Sequence, residues 1–201
     1  MAEAVDASSS ERSSRAALPI PNGWYAVAVS DELAPGALLN ARYFDQELVV
    51  FRTESGEPAV FEAYCPHLGA HFGHGGSVVG ESLRCPFHGW SFGTSGACSE
   101  IPYAKRIPPN AQAGKLPTKE CNGFIFAWWD AEGRAPWYEI PEVAEAADAN
   151  WSTPDRYEWR VNAHNQELAE NGVDSAHFHF CLLYTSPSPR DQRGSRMPSS
   201  A

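Results

Sequence analysis

Four short runs of β-branched, aromatic and aliphatic residues stand out along the first third of the chain: Trp24–Val29, Leu38–Phe44, Leu48–Thr53 and Ala59–Ala63. Pro, Gly, Asp and Glu fall between them. Runs this short, bounded by turn formers, predict antiparallel strands; a helix would repeat its apolar positions every three or four residues over a longer window. Ser82–Arg84, Trp90–Phe92 and Phe124–Trp129 add three more candidates. The 16 Gly and 16 Pro lie mostly between the runs, where turns need a positive or a preset φ. Residues 131–155 lose this texture and, punctuated by Pro136, Pro141 and Pro154, read as a connection between domains. A strand is predicted at Tyr157–Ala163, and a helix from Asn165 through NQELAENGVDSAHFHF, weakened by Gly172. Residues 1–18 are small and polar without periodicity and predict a disordered tail. Glu3, Asp6 and Glu11 argue against a transit peptide, which avoids acids.

The 201 residues, 43% hydrophobic and 20% charged, suffice for one core and part of another. No apolar run approaches the ~18–20 residues of a membrane span. With 15 Lys and Arg against 25 Asp and Glu, the net charge of −10 argues against a nucleic-acid binder that works by phosphate neutralisation. Five cysteines are too few and odd in number for a secreted disulfide scaffold. They read as thiols or metal ligands in a reducing, cytoplasmic compartment.

The chemistry concentrates in Cys65-Pro66-His67 and Cys85-Pro86-Phe87-His88, with seventeen residues between His67 and Cys85. Each arm offers one thiolate and one imidazole. A structural zinc ion takes the same set of four, but zinc fingers usually pair Cys with Cys and His with His in separate arms. Mixed arms suit a Rieske [2Fe–2S] centre, in which two Cys hold one iron and two His the other. Gly69 and Gly89 are expected to let backbone N–H groups approach the sulfides, and Trp90 to shield the cluster. Cys98 and Cys121 read as small buried hydrophobes, and His71 and His74 as loop groups rather than ligands.

The segments Tyr64-Cys65-Pro66-His67-Leu68-Gly69-Ala70-His71 and Cys85-Pro86-Phe87-His88-Gly89-Trp90 resemble the Rieske domains of oxygenases. Ala70 and Phe87 occupy the places where respiratory Rieske proteins carry two extra cysteines. Downstream, Asn171, Asp174 and His177 resemble the first three members of the mononuclear-iron motif Asn-x-x-Asp-x-x-His-x-x-x-x-His of Rieske non-haem iron oxygenases. With Gly23-Trp24-Tyr25, Glu100-Ile101-Pro102-Tyr103 and Glu167–Phe178, the resemblance runs from about Pro19 to Phe180 and is strongest to the steroid group, the cholesterol 7-desaturases and 3-ketosteroid 9α-hydroxylase oxygenase components. The motif's second His falls on Leu182. Residues 181–201 turn basic and lose periodicity, and Cys181–Asp191 can be encoded by nucleotides resembling a sequencing-library adapter. Residues 181–201 are therefore expected not to belong to the protein; without their three Arg and one Asp, 12 basic and 24 acidic residues remain.

The resemblance implies a mostly β fold: an antiparallel β-sandwich with a cluster-binding lobe over residues 19–135, then a linker and the start of an α+β catalytic domain over 136–180. It implies a [2Fe–2S] cluster on Cys65, His67, Cys85 and His88, and a mononuclear Fe(II) on His177, with Asp174 linking it to a cluster histidine of a neighbouring subunit. It further implies a ferredoxin or flavin reductase as electron donor, O₂ and a hydrophobic, sterol-like substrate, and a homotrimer. This chain alone is expected to be inactive, since one histidine cannot complete a site of two His and a carboxylate. Two alternatives stand beside this reading: a Rieske ferredoxin acting only as an electron carrier, and an oxygenase of chlorophyll catabolites or quaternary amines.

Overall fold

The computed structural model describes residues 18–148, 150–152 and 156–174. Contacts divide the chain into a unit spanning Ile20–Trp159 and a second that includes Arg160 onwards. The first unit holds eleven strands: β1 Gly23–Val29, β2 Leu38–Tyr43, β3 Gln46–Arg52, β4 Pro58–Glu62, β5 Ser77–Val79, β6 Ser82–Arg84, β7 Ser91–Gly93, β8 Cys98–Glu100, β9 Lys115–Leu116, β10 Thr118–Cys121 and β11 Phe124–Trp129. They form three antiparallel sheets, ordered β1-β11-β10, β2-β3-β4-β9 and β5-β6-β7-β8. The seven strands expected between Trp24 and Trp129 are all present within two residues at either end. Four more were not anticipated: β5, β8, β9 and β10.

The middle sheet decides the architecture. Strands alternate their side chains between faces, and β3 is apolar on both: Leu48 and Val50 enter one core, Val49 and Phe51 the other, all with no solvent exposure. The first core joins this sheet to β1 and β11 through Val27, Val60, Ile125 and Ala127, making the sandwich. The second joins it to the lobe sheet through Phe61, Phe72, Leu83 and Phe92. Each fully buried Phe contributes roughly 1.5–3 kcal/mol of burial free energy. Arg52, at the end of β3, pairs both guanidinium N–H groups with Glu120 of β10 at 2.9 and 2.6 Å and donates to the carbonyls of Leu33, Gly56 and Ser30. It ties the middle sheet to the outer one with every donor engaged.

The segment following β11 is fastened to the sandwich. Trp137 and Tyr138 pack edge-on against Trp128, and the Trp24 indole N–H donates to the Tyr138 carbonyl at 3.0 Å. Asn122 donates to the Pro141 carbonyl and accepts from the Val143 N–H.

Tyr157–Ala163 is not a strand. Its alternating Tyr157, Trp159 and Val161 are 70%, 75% and 55% exposed, and no strand among the described residues takes up its backbone groups. Alternation gives a chain two faces but cannot supply the partner that a strand requires. The helix expected from Asn165 through Phe180 is observed as α1 over Asn165–Val173, with Asp174 as its C-cap, and residues 175–180 lie outside the described residues. His164 is its N-cap, and Glu167 closes the capping box that starts it. No helix among the described residues is long and apolar enough to cross a membrane.

Candidate metal-cluster site

Two six-residue loops at the edge of the lobe carry the chemistry, and they are built alike. Cys65–Ala70 is closed at its base by an antiparallel bridge between Tyr64 and His71. Cys85–Trp90 is closed by the Arg84–Ser91 pair that ends the β6–β7 ladder. In the first loop the Cys65 N–H donates to the Ala70 carbonyl at 2.9 Å and the Gly69 N–H to the Cys65 carbonyl at 2.9 Å. The second repeats both bonds, Cys85 to Trp90 at 2.8 Å and Gly89 to Cys85 at 3.1 Å. Gly69 and Gly89 sit at φ +73° and +69°, a left-handed conformation that closes the turn and favours glycine. The N–H groups of both glycines donate inside their own loops.

The loops bring the four expected residues together as two pairs. Cys65 and Cys85 are each 3% exposed and free, within hydrogen-bonding reach of one another, and sit in the core of the lobe. Burial pushes the Cys65 thiol up to about 12, and the neighbouring Cys85 adds to the rise. A thiolate at this position therefore needs a cation beside it. His67 and His88 are half-buried, with ring centroids 4.7 Å apart and planes at 69°. Trp90 lies flat on His67, centroids 4.3 Å apart and planes within 8°, so it covers a histidine ring face.

This donor set fits a dinuclear group. Two thiols form an inner pair and two imidazoles a more exposed one, as a [2Fe–2S] centre with two protein ligands per iron requires. A single zinc ion would draw its ligands onto one point, whereas among the described residues no three His, Cys, Asp or Glu side chains converge around one ion.

The remaining candidates separate from the pairs. The His71 and His74 rings lie 4.2 Å apart with their planes tilted by 37°, and His71 accepts from the Gly73 N–H and lies 3.8 Å from Glu47. The Tyr64 hydroxyl donates to the same carboxylate. Burial, then His74, holds His71 below the ordinary imidazole range. Cys98 and Cys121 are half-buried rather than fully enclosed; Cys98 packs on the lobe core. Asp174 is the C-cap of α1 and so lies just past the helix that Asn171 occupies. His177 and residues 181–201 lie outside the described residues.

Comparison with known proteins matches two domain families in succession. Residues 23–117 match the Rieske [2Fe-2S] domain, and residues 127–188 the 3-ketosteroid 9alpha-hydroxylase C-terminal domain, the second match running past Phe180. The cholesterol 7-desaturase nvd of Xenopus laevis is 43% identical over 161 residues, 80% of this chain and 36% of that protein. The 3-ketosteroid-9-alpha-monooxygenase oxygenase component of Rhodococcus rhodochrous is 37% identical over 169 residues, 83% of this chain and 44% of the relative. Among solved structures, NdmA of Pseudomonas putida CBB5 aligns with a TM-score of 0.65 at 28% identity, covering 84% of this chain and 52% of NdmA. Dicamba monooxygenase aligns with a TM-score of 0.56 at 28% identity over 64% of this chain and 39% of its own. The chain thus spans less than half the length of either of these two sequence relatives.

Proposed function

Because the chain belongs to the Rieske oxygenases, a Rieske [2Fe-2S] domain running into the start of a 3-ketosteroid 9alpha-hydroxylase C-terminal domain, we propose that it is the electron-receiving part of an oxygenase component for O₂-dependent hydroxylation or desaturation of a hydrophobic substrate. The observation that carries this reading is the pair of duplicated loops with buried thiols on one side and imidazoles on the other. Cys65, His67, Cys85 and His88 would hold the cluster, which when bound supplies one-electron storage at a potential raised by its histidine ligands. The chain's own contribution is placement. The lobe core keeps water from the thiols, and the half-buried histidines give the inner pair its outward-facing edge.

The substrate class we propose is a sterol, supported by the names of the sequence relatives, a cholesterol desaturase and a ketosteroid monooxygenase. The match over residues 127–188 favours an oxygenase over a pure electron carrier, which needs no such domain. We assign His177 as one ligand of a mononuclear Fe(II) and Asp174 as its link to a cluster histidine of a neighbouring subunit in a homotrimer. A ferredoxin or flavin reductase would donate electrons, in the cytoplasm. Leu182 stands where a second histidine ligand is required, so this chain alone should show no oxygenase turnover.

Iron and acid-labile sulfide analysis, with electron paramagnetic resonance of the reduced chain, tests the cluster. Two irons and two sulfides with a Rieske spectrum are expected; zinc, or an all-cysteine signal, would overturn the assignment. Amplifying the transcript from upstream of Cys85 to its natural stop tests the remainder. A histidine at position 182 followed by a long α+β region supports the oxygenase, and recovery of residues 181–201 unchanged removes it.

A further inference from the structure

A third segment closes on the two loops, and neither cluster ligation nor the sandwich accounts for it. Ile101, 6% exposed, anchors the chain after β8, and the Ala104 N–H donates back to the Ile101 carbonyl at 3.1 Å to make a turn. Pro102 then lies against Gly89, so closely that a β-carbon there would come within 3.1 Å of the proline Cγ. Tyr103 follows with 63% of its surface exposed, which its apolar ring alone does not favour. Its hydroxyl, however, accepts from the Trp90 indole N–H at 2.7 Å. Trp90 belongs to the second loop, and the ring it covers at 4.3 Å is His67 of the first. The Tyr103 ring also stands edge-on to His88 at 6.5 Å.

We propose that Tyr103 is a positioning residue for the cluster histidines: its hydroxyl holds the Trp90 indole in the plane that fixes the orientation of the His67 ring. The inference rests on the cluster assignment above. An indole has one polar handle, and a plane is set only when that handle is tied down. The backbone of Trp90 is fixed by its carbonyl, which accepts from Cys85; its side-chain torsions are fixed by Tyr103. With both ends held, the imidazole of His67 has one face closed by a rigid surface. A ligand ring's orientation is ordinarily set by groups outside the coordination sphere, and those groups tune the metal. The electron-rich face of the indole also favours the more positive, oxidised state of a cluster ligated through that imidazole.

The test uses the cluster-loaded chain and the variants Tyr103→Phe, Trp90→Leu and their double mutant. Iron content and thermal unfolding should stay near wild type in Tyr103→Phe, since the exposed ring is retained. Its histidine nitrogen couplings, read by pulsed electron paramagnetic resonance, should broaden as the His67 ring gains freedom, and its reduction potential should rise. Trp90→Leu should raise the potential further. In that background Tyr103→Phe should add nothing, because it acts through the indole. Unchanged couplings and potential in Tyr103→Phe with a full cluster would overturn the proposal. So would an equal shift in both backgrounds, which would place the effect of Tyr103 directly on His88. A wild-type chain with no [2Fe–2S] signal would instead overturn the cluster assignment, so the two failures are distinguishable.

Discussion

The loops Cys65–Ala70 and Cys85–Trp90 share their length, both closing hydrogen bonds and a left-handed glycine at the fifth position, yet they differ in where the histidine stands. In the first loop it is the third residue, His67, followed by Leu68; in the second it is the fourth, His88, preceded by Phe87. The residues beside the histidines, Leu68 and Phe87, are 65% and 63% exposed. The common turn therefore places the two thiols equivalently as a property of the backbone, while each imidazole is placed by its own step along the turn. The supports also differ. The first loop hangs on one isolated bridge between Tyr64 and His71, whereas the second caps a hairpin and is overlaid by Ile101–Tyr103.

The sharpest way to break this comparison is to move a histidine along its turn. His67→Ala and His88→Ala should each abolish bound iron, and the exchange His67→Leu with Leu68→His should fail to restore it, although its composition is unchanged. Iron per chain measures all three. Near-stoichiometric iron in the exchanged loop would show that the backbone adapts to the ligand rather than placing it.

The glycines give the next largest contrast. Both substitutions incur left-handed strain of about 1–2 kcal/mol. At Gly69 an added β-carbon meets nothing within 4 Å, whereas at Gly89 it crowds Pro102 at 3.1 Å. Gly89→Ala should therefore be about 1 kcal/mol more destabilising than Gly69→Ala, as read by denaturant unfolding of the chain. Equal losses would mean that the Ile101–Tyr103 segment yields without cost.

The smallest effect lies in the frame beneath both loops. The Arg52 hydrogen bonds hold the Glu120 carboxyl below its usual value of 4.5. The stability this supplies is complete at neutral pH and is lost as pH falls below about 4.5 and through the lower folded-state value. Glu120→Gln should lower stability at pH 7 by about 1 kcal/mol and flatten the acid limb of a stability–pH curve, with iron content unchanged. A steep acid limb in the variant would assign acid sensitivity to other carboxylates.

How much of this was legible in the sequence follows physical lines. Cys65, His67, Cys85 and His88 stood out as candidate ligands because ligation needs particular atoms at particular spacings, and letters record atoms. The long strands were visible because Leu48–Phe51 or Phe124–Trp129 are apolar in their own right. Strands β9 and β10, Lys115–Leu116 and Thr118–Cys121, are short, polar and interrupted by Pro117. They are strands because β4 and β11 offer them backbone partners, which no local pattern records. The reverse error occurs at Tyr157–Ala163, where the pattern is right for a strand and no partner is described. Glu100-Ile101-Pro102-Tyr103 stood out as a family-like segment, but its use could not be read, since the bond from Trp90 to Tyr103 spans thirteen residues and depends on how the loops fold.

The double-faced strand β3 has a consequence for how this lobe can be exchanged between proteins. Leu48 and Val50 belong to the sandwich, while Val49 and Phe51 belong to the cluster lobe, so the boundary between the two runs through alternate side chains of one strand. No cut in the polypeptide separates them. A chimera that grafts another protein's lobe by its contiguous segments, residues 63–114 for example, would leave Val49 and Phe51 behind to face a foreign core. The transferable unit is instead an interleaved one: the segment together with every second residue of β3 and the matching Ala59 and Phe61 of β4. Recombination or design at this fold should respect that stripe, and substitutions tolerated singly at Val49 or Phe51 should depend on which lobe they face.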